Sequence, residues 1–154
     1  MLAVSVVRPE SRGTLRLRSA DPKDAPVIDL NLLATPRDRS RMVEGVKLSR
    51  QIGLAKAFAA VSDGEMLPGD QIRGDAALQR VIDEQVASFQ HTTSTVPMGG
   101  DKDDWAVVDG AGAVRGLANL RVIDASMLPE VPSVPTNLTT IMVAEHIYRH
   151  ALSR

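Results

Sequence analysis

An α+β fold is predicted from three observations. Short β-type runs ("VSVV", "TLRLRS" and "VIDLNLL") crowd the N-terminal part of the chain. The middle carries two stretches with apolar residues at helical spacing, and a last helical pattern follows further β-type runs set around glycines. The chain has 154 residues, 44% apolar and 24% charged, which is the balance of an ordinary globular protein, with one compact unit as the starting expectation.

Taken in order, "VSVV" and "TLRLRS" are separated by "RPESRG", whose Pro and Gly favour a turn, so the pair reads as a hairpin. In the second run Leu15 and Leu17 alternate with Arg16 and Arg18, as a half-buried strand requires. "VIDLNLL" reads as another short extended segment. "TPRDRSRMVEGVKLSRQIGLAKAFA" turns helical with Met42, Val43, Val46, Ile52 and Phe58 as core candidates, although Gly45 and Gly53 weaken it. After the loop "GEMLPGDQIRGD", Asp75 is placed as the N-cap of a helix that buries Leu78, Val81, Ile82, Val86 and Phe89. Beyond "AVVDGAGAVRG" and "NLRVIDAS", both β-type, a final helix runs through "NLTTIMVAEHIYRHAL". Its apolar face is expected to hold Leu138, Ile141, Met142, Ala144, Ile147 and Tyr148.

Composition excludes several functions. The net charge is −1 and no dense basic run is present, so the electrostatic footprint of a nucleic-acid binder is missing. With no cysteine there is no disulfide frame, thiolate nucleophile or Cys-ligated metal. The opening "MLAVSVVRP" is too short an apolar stretch for an export signal or a membrane span, and a cytoplasmic location is the default expectation.

The glycines of "GAGAVRG" have the spacing G-x-G-x-x-x-G and precede a β-type run. A phosphate-cradling loop needs a helix N-terminus there, so the stretch reads as a glycine-rich β-turn. His146 and His150 lie four apart on the last helix without a third ligand nearby. They are assigned to the helix C-terminus, where a cation suits the dipole, and no metal is expected. Ser11, Ser94 and Ser133 have no nucleophile-elbow glycines around them, which leaves no hydrolase to read. His91, in "QHTTSTVPMGG", stands past a helical pattern where no amphipathic face calls for it.

Four stretches in order, "RPESRGTLRLRSADP", "HTTSTVPMGG", "AVVDGAGAVRGLANLRVIDASMLP" and "TNLTTIMVAEH", resemble the successive signatures of the C-terminal domain of glucose-methanol-choline (GMC) oxidoreductases. The resemblance runs over essentially the whole chain. It implies a substrate-domain sheet with flanking helices for residues 1–98, and for 99–154 a strand and helix that return to the FAD domain. It also implies an N-terminal FAD-binding region, G-x-G-x-x-G included, that this sequence does not contain. The chain is therefore expected to be a C-terminal portion that does not hold FAD tightly alone and exposes apolar surface open to self-association.

The same resemblance implies FAD as cofactor and a small-molecule alcohol as substrate, oxidised to an aldehyde or ketone. Ser11, Arg12 and Gly13 match the family's first turn. His91, Thr95, Met98 and Gly99 match His-Pro-x-Gly-Thr-x-x-Met-Gly, with Thr92 and Ser94 replacing the usual Pro and Gly. The catalytic histidine's role falls on His91, which suits the chemistry, because hydride loss from an alcohol leaves a proton that a neutral imidazole can accept. Asp124 and Ala125 match the cofactor-side Asp-Ala pair, and Thr136 and Asn137 match the helix N-terminus that faces the flavin. The place usually held by a second catalytic His or Asn is Pro135, which has no side-chain hydrogen-bonding group. Either Asn137 or Ser133 serves as a different second group or activity is reduced or altered, and the site is expected to rely mainly on His91. The competing expectation is a non-catalytic remnant or interaction module that keeps the fold without cofactor or turnover.

Overall fold

The computed structural model of the chain describes residues 2–152. Two compact units make it up: the chain up to Arg16 with Val27–Phe89, and Leu17–Pro26 with the chain from Gln90 onward. Mixed helix and a small antiparallel sheet bear out the predicted α+β class.

In the first unit β1 (Thr14–Arg16) pairs antiparallel with β2 (Val27–Asp29), Leu15 standing opposite Ile28. The expected partner, residues 4–7, is not a strand. Its carbonyls are taken by a helix side chain, since Arg41 donates from Nη2 to Val7 O at 2.7 Å and from Nη1 to Arg8 O at 3.1 Å. Val6 packs on the helical core instead. Neither strand is half-buried: Leu15 is exposed, and Leu17 lies beyond the strand and is 83% exposed.

Helix α1 (Pro36–Gly53) starts where its sequence says it should. Thr35 caps it, accepting from the Asp38 amide at 3.2 Å, and Pro36 fills the first turn, where its missing N–H costs nothing. The helical stretch then breaks after Gly53 and resumes as α2 (Lys56–Ala59). α3 (Asp75–Gln85) packs against α1 around Leu33, Val43, Leu78 and Ile82, with Met42, Val46 and Val86 at the margin. Asp75 is not the N-cap: Gly74 is. The Asp75 carboxylate lies 2.7 Å from Lys47 Nζ, which draws it away from the helix amides. Ile52 and Phe89, read as core, are exposed.

The first unit's deepest polar group is Asp38, whose side chain is fully buried. It accepts from the Glu10 amide at 3.0 Å, the Ser11 amide at 2.8 Å and the Ser11 hydroxyl at 2.6 Å. The Ser11 Oγ in turn accepts from the Thr35 amide at 3.2 Å. The "ESRG" turn is thereby tied to the start of α1. Gly13 closes the same turn, since a Cβ there would run into the Asp29 carbonyl.

The second unit is held by Val108, Met127 and Ile147, with Val96, Met98, Val122 and Val143 packed around them. Its two β-type runs form isolated bridges rather than strands, Met98 with Val108, Val108 with Val114, and Ala113 with Arg121. Within these runs Gly112, Gly116 and Asn119 take positive φ, which interrupts the extended backbone. "GAGAVRG" is the glycine-rich turn expected: Asp109 Oδ1 accepts from the Ala111 and Ala113 amides at 2.8 and 2.9 Å, and no helix begins there.

The expected return strand is likewise replaced by the Arg121 bridge and a 3₁₀ turn, Ala125–Met127. Helix α4 (Thr136–Ile147) follows, continuing as one π-type turn, Tyr148–Leu152. Its apolar residues are spread around the axis rather than gathered in one stripe. Ile147 and Val143 face the core, while Leu138, Ile141, Met142 and Tyr148 are exposed. No described helix is long and apolar enough to cross a membrane.

Candidate active site

His91 follows α3 on an irregular segment that takes positive φ at Gln90 and Ser94. Ser94 has φ +69°, a left-handed conformation that glycine adopts without penalty and a serine adopts at a cost of about 1 kcal/mol. The place where this sequence departs from the glycine of the motif is thus a position that favours glycine. Its hydroxyl lies 2.9 Å from Thr93 Oγ1.

Beyond Ser94 the segment is clamped along its backbone. The Val96 amide donates to Ser126 O at 3.0 Å and the Met98 amide to Met127 O at 2.8 Å. The accepting residues belong to the 3₁₀ turn that Asp124 caps, its carboxylate accepting from the Ser126 amide at 2.8 Å and from the Ser126 hydroxyl at 2.5 Å. The Asp124 side chain is thereby committed to its own turn, whose Ser126 and Met127 carbonyls hold the strip that leads back to His91. α4 packs against this turn.

The start of α4 completes the arrangement. Pro135 is the N-cap, with φ −51° and no side-chain cap bond, so the capping residue itself offers the first-turn amides no acceptor. Thr136 is 7% exposed and its Oγ1 lies 2.9 Å from His91 Nδ1. The Thr136 carbonyl accepts from Thr140 Oγ1 at 2.8 Å. Asn137 and Leu138, next in the first turn, are exposed, as are Pro135 and Ser133.

Of the predicted site residues, His91 and Thr136 are in direct contact. Asp124 and Ala125 lie on the turn that braces the His91 segment, and Asn137 lies beside Thr136. The His91–Thr136 contact and the Ser126 cap were not read from the sequence. The residues of each pair come from separate motifs or from a bare Asp-Ala-Ser string, and neither announces a partner.

His146 and His150 stack at a 4.3 Å centroid separation, and His150 Nδ1 lies 2.9 Å from His146 O. No cluster of His, Cys, Asp or Glu that would hold a metal ion occurs among the described residues.

These positions coincide with a known family. The family model for GMC oxidoreductases, in its C-terminal form, matches residues 9–144. The chain belongs to the GMC oxidoreductase family. Among curated members of that family it is 42% identical to the 5-(hydroxymethyl)furfural oxidase of Methylovorus sp. (strain MP688), covering 92% of this chain and 29% of the oxidase. It is 40% identical to the oxygen-dependent choline dehydrogenase of Vibrio vulnificus (strain YJ016), covering 90% of this chain and 25% of the dehydrogenase. Pyridoxine 4-oxidase from Mesorbium loti shares the fold with a TM-score of 0.88 and 32% identity, over 96% of this chain and 28% of that one. This GMC chain therefore spans between a quarter and a third of the length of these relatives.

Proposed function

We propose that this chain is the C-terminal part of an FAD-dependent enzyme that oxidises a primary or secondary alcohol to an aldehyde or ketone. Residues 1–98 supply much of its substrate-binding domain, and 99–154 form the segment that returns to the FAD-binding domain. The observation that carries the reading is the 2.9 Å contact between His91 and Thr136, which sets an imidazole on an irregular segment against the first residue of α4. Relatives named choline dehydrogenase, alcohol dehydrogenase and furfural oxidase support an alcohol as substrate.

The donor set suits a flavin. The N-cap Pro135 gives the first-turn amides of α4 no side-chain acceptor, and these amides sit at the positive end of the helix dipole, which favours an acceptor-rich, electron-gaining group. Thr136 and Asn137 would hold it there, with the backbone of Asp124 and Ala125 beside it. FAD, when bound, supplies the two-electron acceptor for the hydride. The chain's own share is to place the alcohol and to receive the hydroxyl proton on the His91 imidazole. Pro135 contributes no polar side chain, so Asn137, with Ser133 as the other candidate, would share the substrate oxygen.

The test is a fusion of this chain to the N-terminal portion of the Methylovorus oxidase that it does not cover. Added anaerobically, an alcohol is expected to bleach the flavin absorbance of the fusion. Flavin that is retained but never bleached by a panel of primary and secondary alcohols would refute the reading in favour of a non-catalytic module.

The exposed side of α4 belongs to the same proposal. Leu138 is 78% exposed, with Ile141, Met142 and Tyr148 alongside it on a helix that is apolar on several sides. Helices of that kind are covered in complete proteins. The isolated chain is expected to bind a hydrophobic dye and to self-associate in sedimentation. Leu138→Glu combined with Met142→Glu is expected to reduce both effects while shifting stability by no more than about 0.5 kcal/mol per site. A monomer that ignores the dye would show that this surface is already satisfied.

A further inference from the structure

We propose that residues 3–7 form an open strand edge that pairs antiparallel with the same residues of a second copy of this chain, the two Ser5 residues lying opposite each other. The inference is independent of the catalytic reading and concerns a different surface from that of α4.

The segment "AVSVV" has the composition of a strand and also its burial. Val4 and Val6 are half-buried while Ala3, Ser5 and Val7 are exposed, a period of two. The inward side chains are seated on the first unit. Val6 packs beside the core of Leu33, Val43, Leu78 and Ile82, and Val4 lies so close to Gly45 that a Cβ there would collide with it. Side chains anchor the segment, and its backbone is left over. Among the described residues, no hydrogen bond reaches the amides or carbonyls of residues 3–6.

One edge is available. Along a strand the N–H and C=O of a residue point to the same side, and those of its neighbours to the other. Arg41 reaches from α1 to the Val7 carbonyl, so the side shared by Ala3, Ser5 and Val7 turns toward the helix. The amides and carbonyls of Val4 and Val6 turn away from it.

A second copy fits this edge because the run reads nearly the same in both directions about Ser5. Antiparallel pairing there sets Val4 against the copy's Val6, Val6 against the copy's Val4, and Ala3 against the copy's Val7. The hydrogen-bonded pairs join β-branched residues, and no charge lies within residues 2–7 to oppose them. Neither Lys nor Pro, which blunt exposed edges, occurs in that stretch. Moving the centre to Val6 would set Val4 against the copy's Arg8, whose φ of +55° ends the extended run.

The chain has no cysteine, so single cysteines report the register through disulfide formation. The test uses the Leu138→Glu/Met142→Glu background, in which α4 no longer contributes to association. Opposed residues of a non-hydrogen-bonded pair lie about 4.5 Å apart at Cα, within disulfide reach. Under mild oxidation Ser5→Cys is expected to form a covalent dimer at least about tenfold faster than Ala3→Cys or Val7→Cys alone. Mixed together, Ala3→Cys and Val7→Cys are expected to cross-link to each other in preference to themselves. Adding Val4→Pro, which removes the amide that donates to the copy's Val6 carbonyl, is expected to bring Ser5→Cys down to the rate of Ala3→Cys. Equal rates for the three single cysteines, or a Ser5→Cys rate that ignores Val4→Pro, overturns the proposal. Should Val4→Pro fail to fold, the pattern of the three cysteines still decides it. A Ser5→Cys chain that stays monomeric also overturns it, and assigns the edge to a strand of another polypeptide.

Discussion

His91→Gln in the flavin-containing fusion is expected to lower the rate of alcohol-driven flavin reduction by about 10²–10⁴-fold, the usual worth of a positioned general base. Glutamine keeps a polar side chain of similar reach but cannot take up a proton, so the loss isolates proton transfer from simple hydrogen bonding. Flavin content should stay the same, because the amides of α4 and not the imidazole are assigned to the cofactor. Asn137→Ala is expected to cost less, since an amide orients the substrate oxygen without accepting its proton. A fusion that retains full rate after His91→Gln and loses it after Asn137→Ala would transfer the acceptor role away from His91.

The second large effect concerns Asp38. Asp38→Ala would leave the Glu10 amide, the Ser11 amide and the Ser11 hydroxyl without their buried acceptor, and would remove the carboxylate that lies 3.6 Å from Arg41. Removing one side of such a buried charged network costs about 3–5 kcal/mol, to be read as a lower urea midpoint. Burial, the largest single influence on the carboxyl, pushes its pKa up. The hydrogen bonds from Ser11, followed by that from Glu10, together outweigh it, and the group is held below its ordinary value. A carboxyl lowered on folding contributes its full stabilisation above the unfolded value of about 3.9 and loses it as pH falls through the folded value. The deficit of Asp38→Asn should therefore be the same at pH 7 and pH 5 and should shrink below about pH 4. A deficit that is constant down to pH 2 would mean that charge plays no part.

Much of this was legible in the sequence because the signals were local. Thr35, Pro36 and Asp38 mark the start of α1 within four residues, and the glycines of "GAGAVRG" carry their own turn. The errors came where a distant group competes. Residues 4–7 have strand composition, but Arg41 takes the Val7 and Arg8 carbonyls. Asp75 has the chemistry of a cap, but Lys47 draws its carboxylate away. Ile52 and Phe89 fit helical spacing yet find no core, because period alone does not say how far a packed face extends. The candidate site was legible as separate motifs. What joins them, a hydroxyl to an imidazole 45 positions earlier in the chain, has no periodicity to betray it.

The division of the chain has a consequence for recombination. The backbone passes from one unit to the other at Arg16/Leu17, at Pro26/Val27 and at Phe89/Gln90. No single crossover between two related genes can exchange one unit whole. A junction at Phe89/Gln90, which looks natural because His91 and the whole α4 segment lie beyond it, leaves the ten-residue excursion Leu17–Pro26 with the wrong parent. A chimaera meant to transplant the His91 site must therefore carry two blocks of sequence, and lineages that shuffled this region by one breakpoint would have inherited a mismatched seam inside the unit that holds the site.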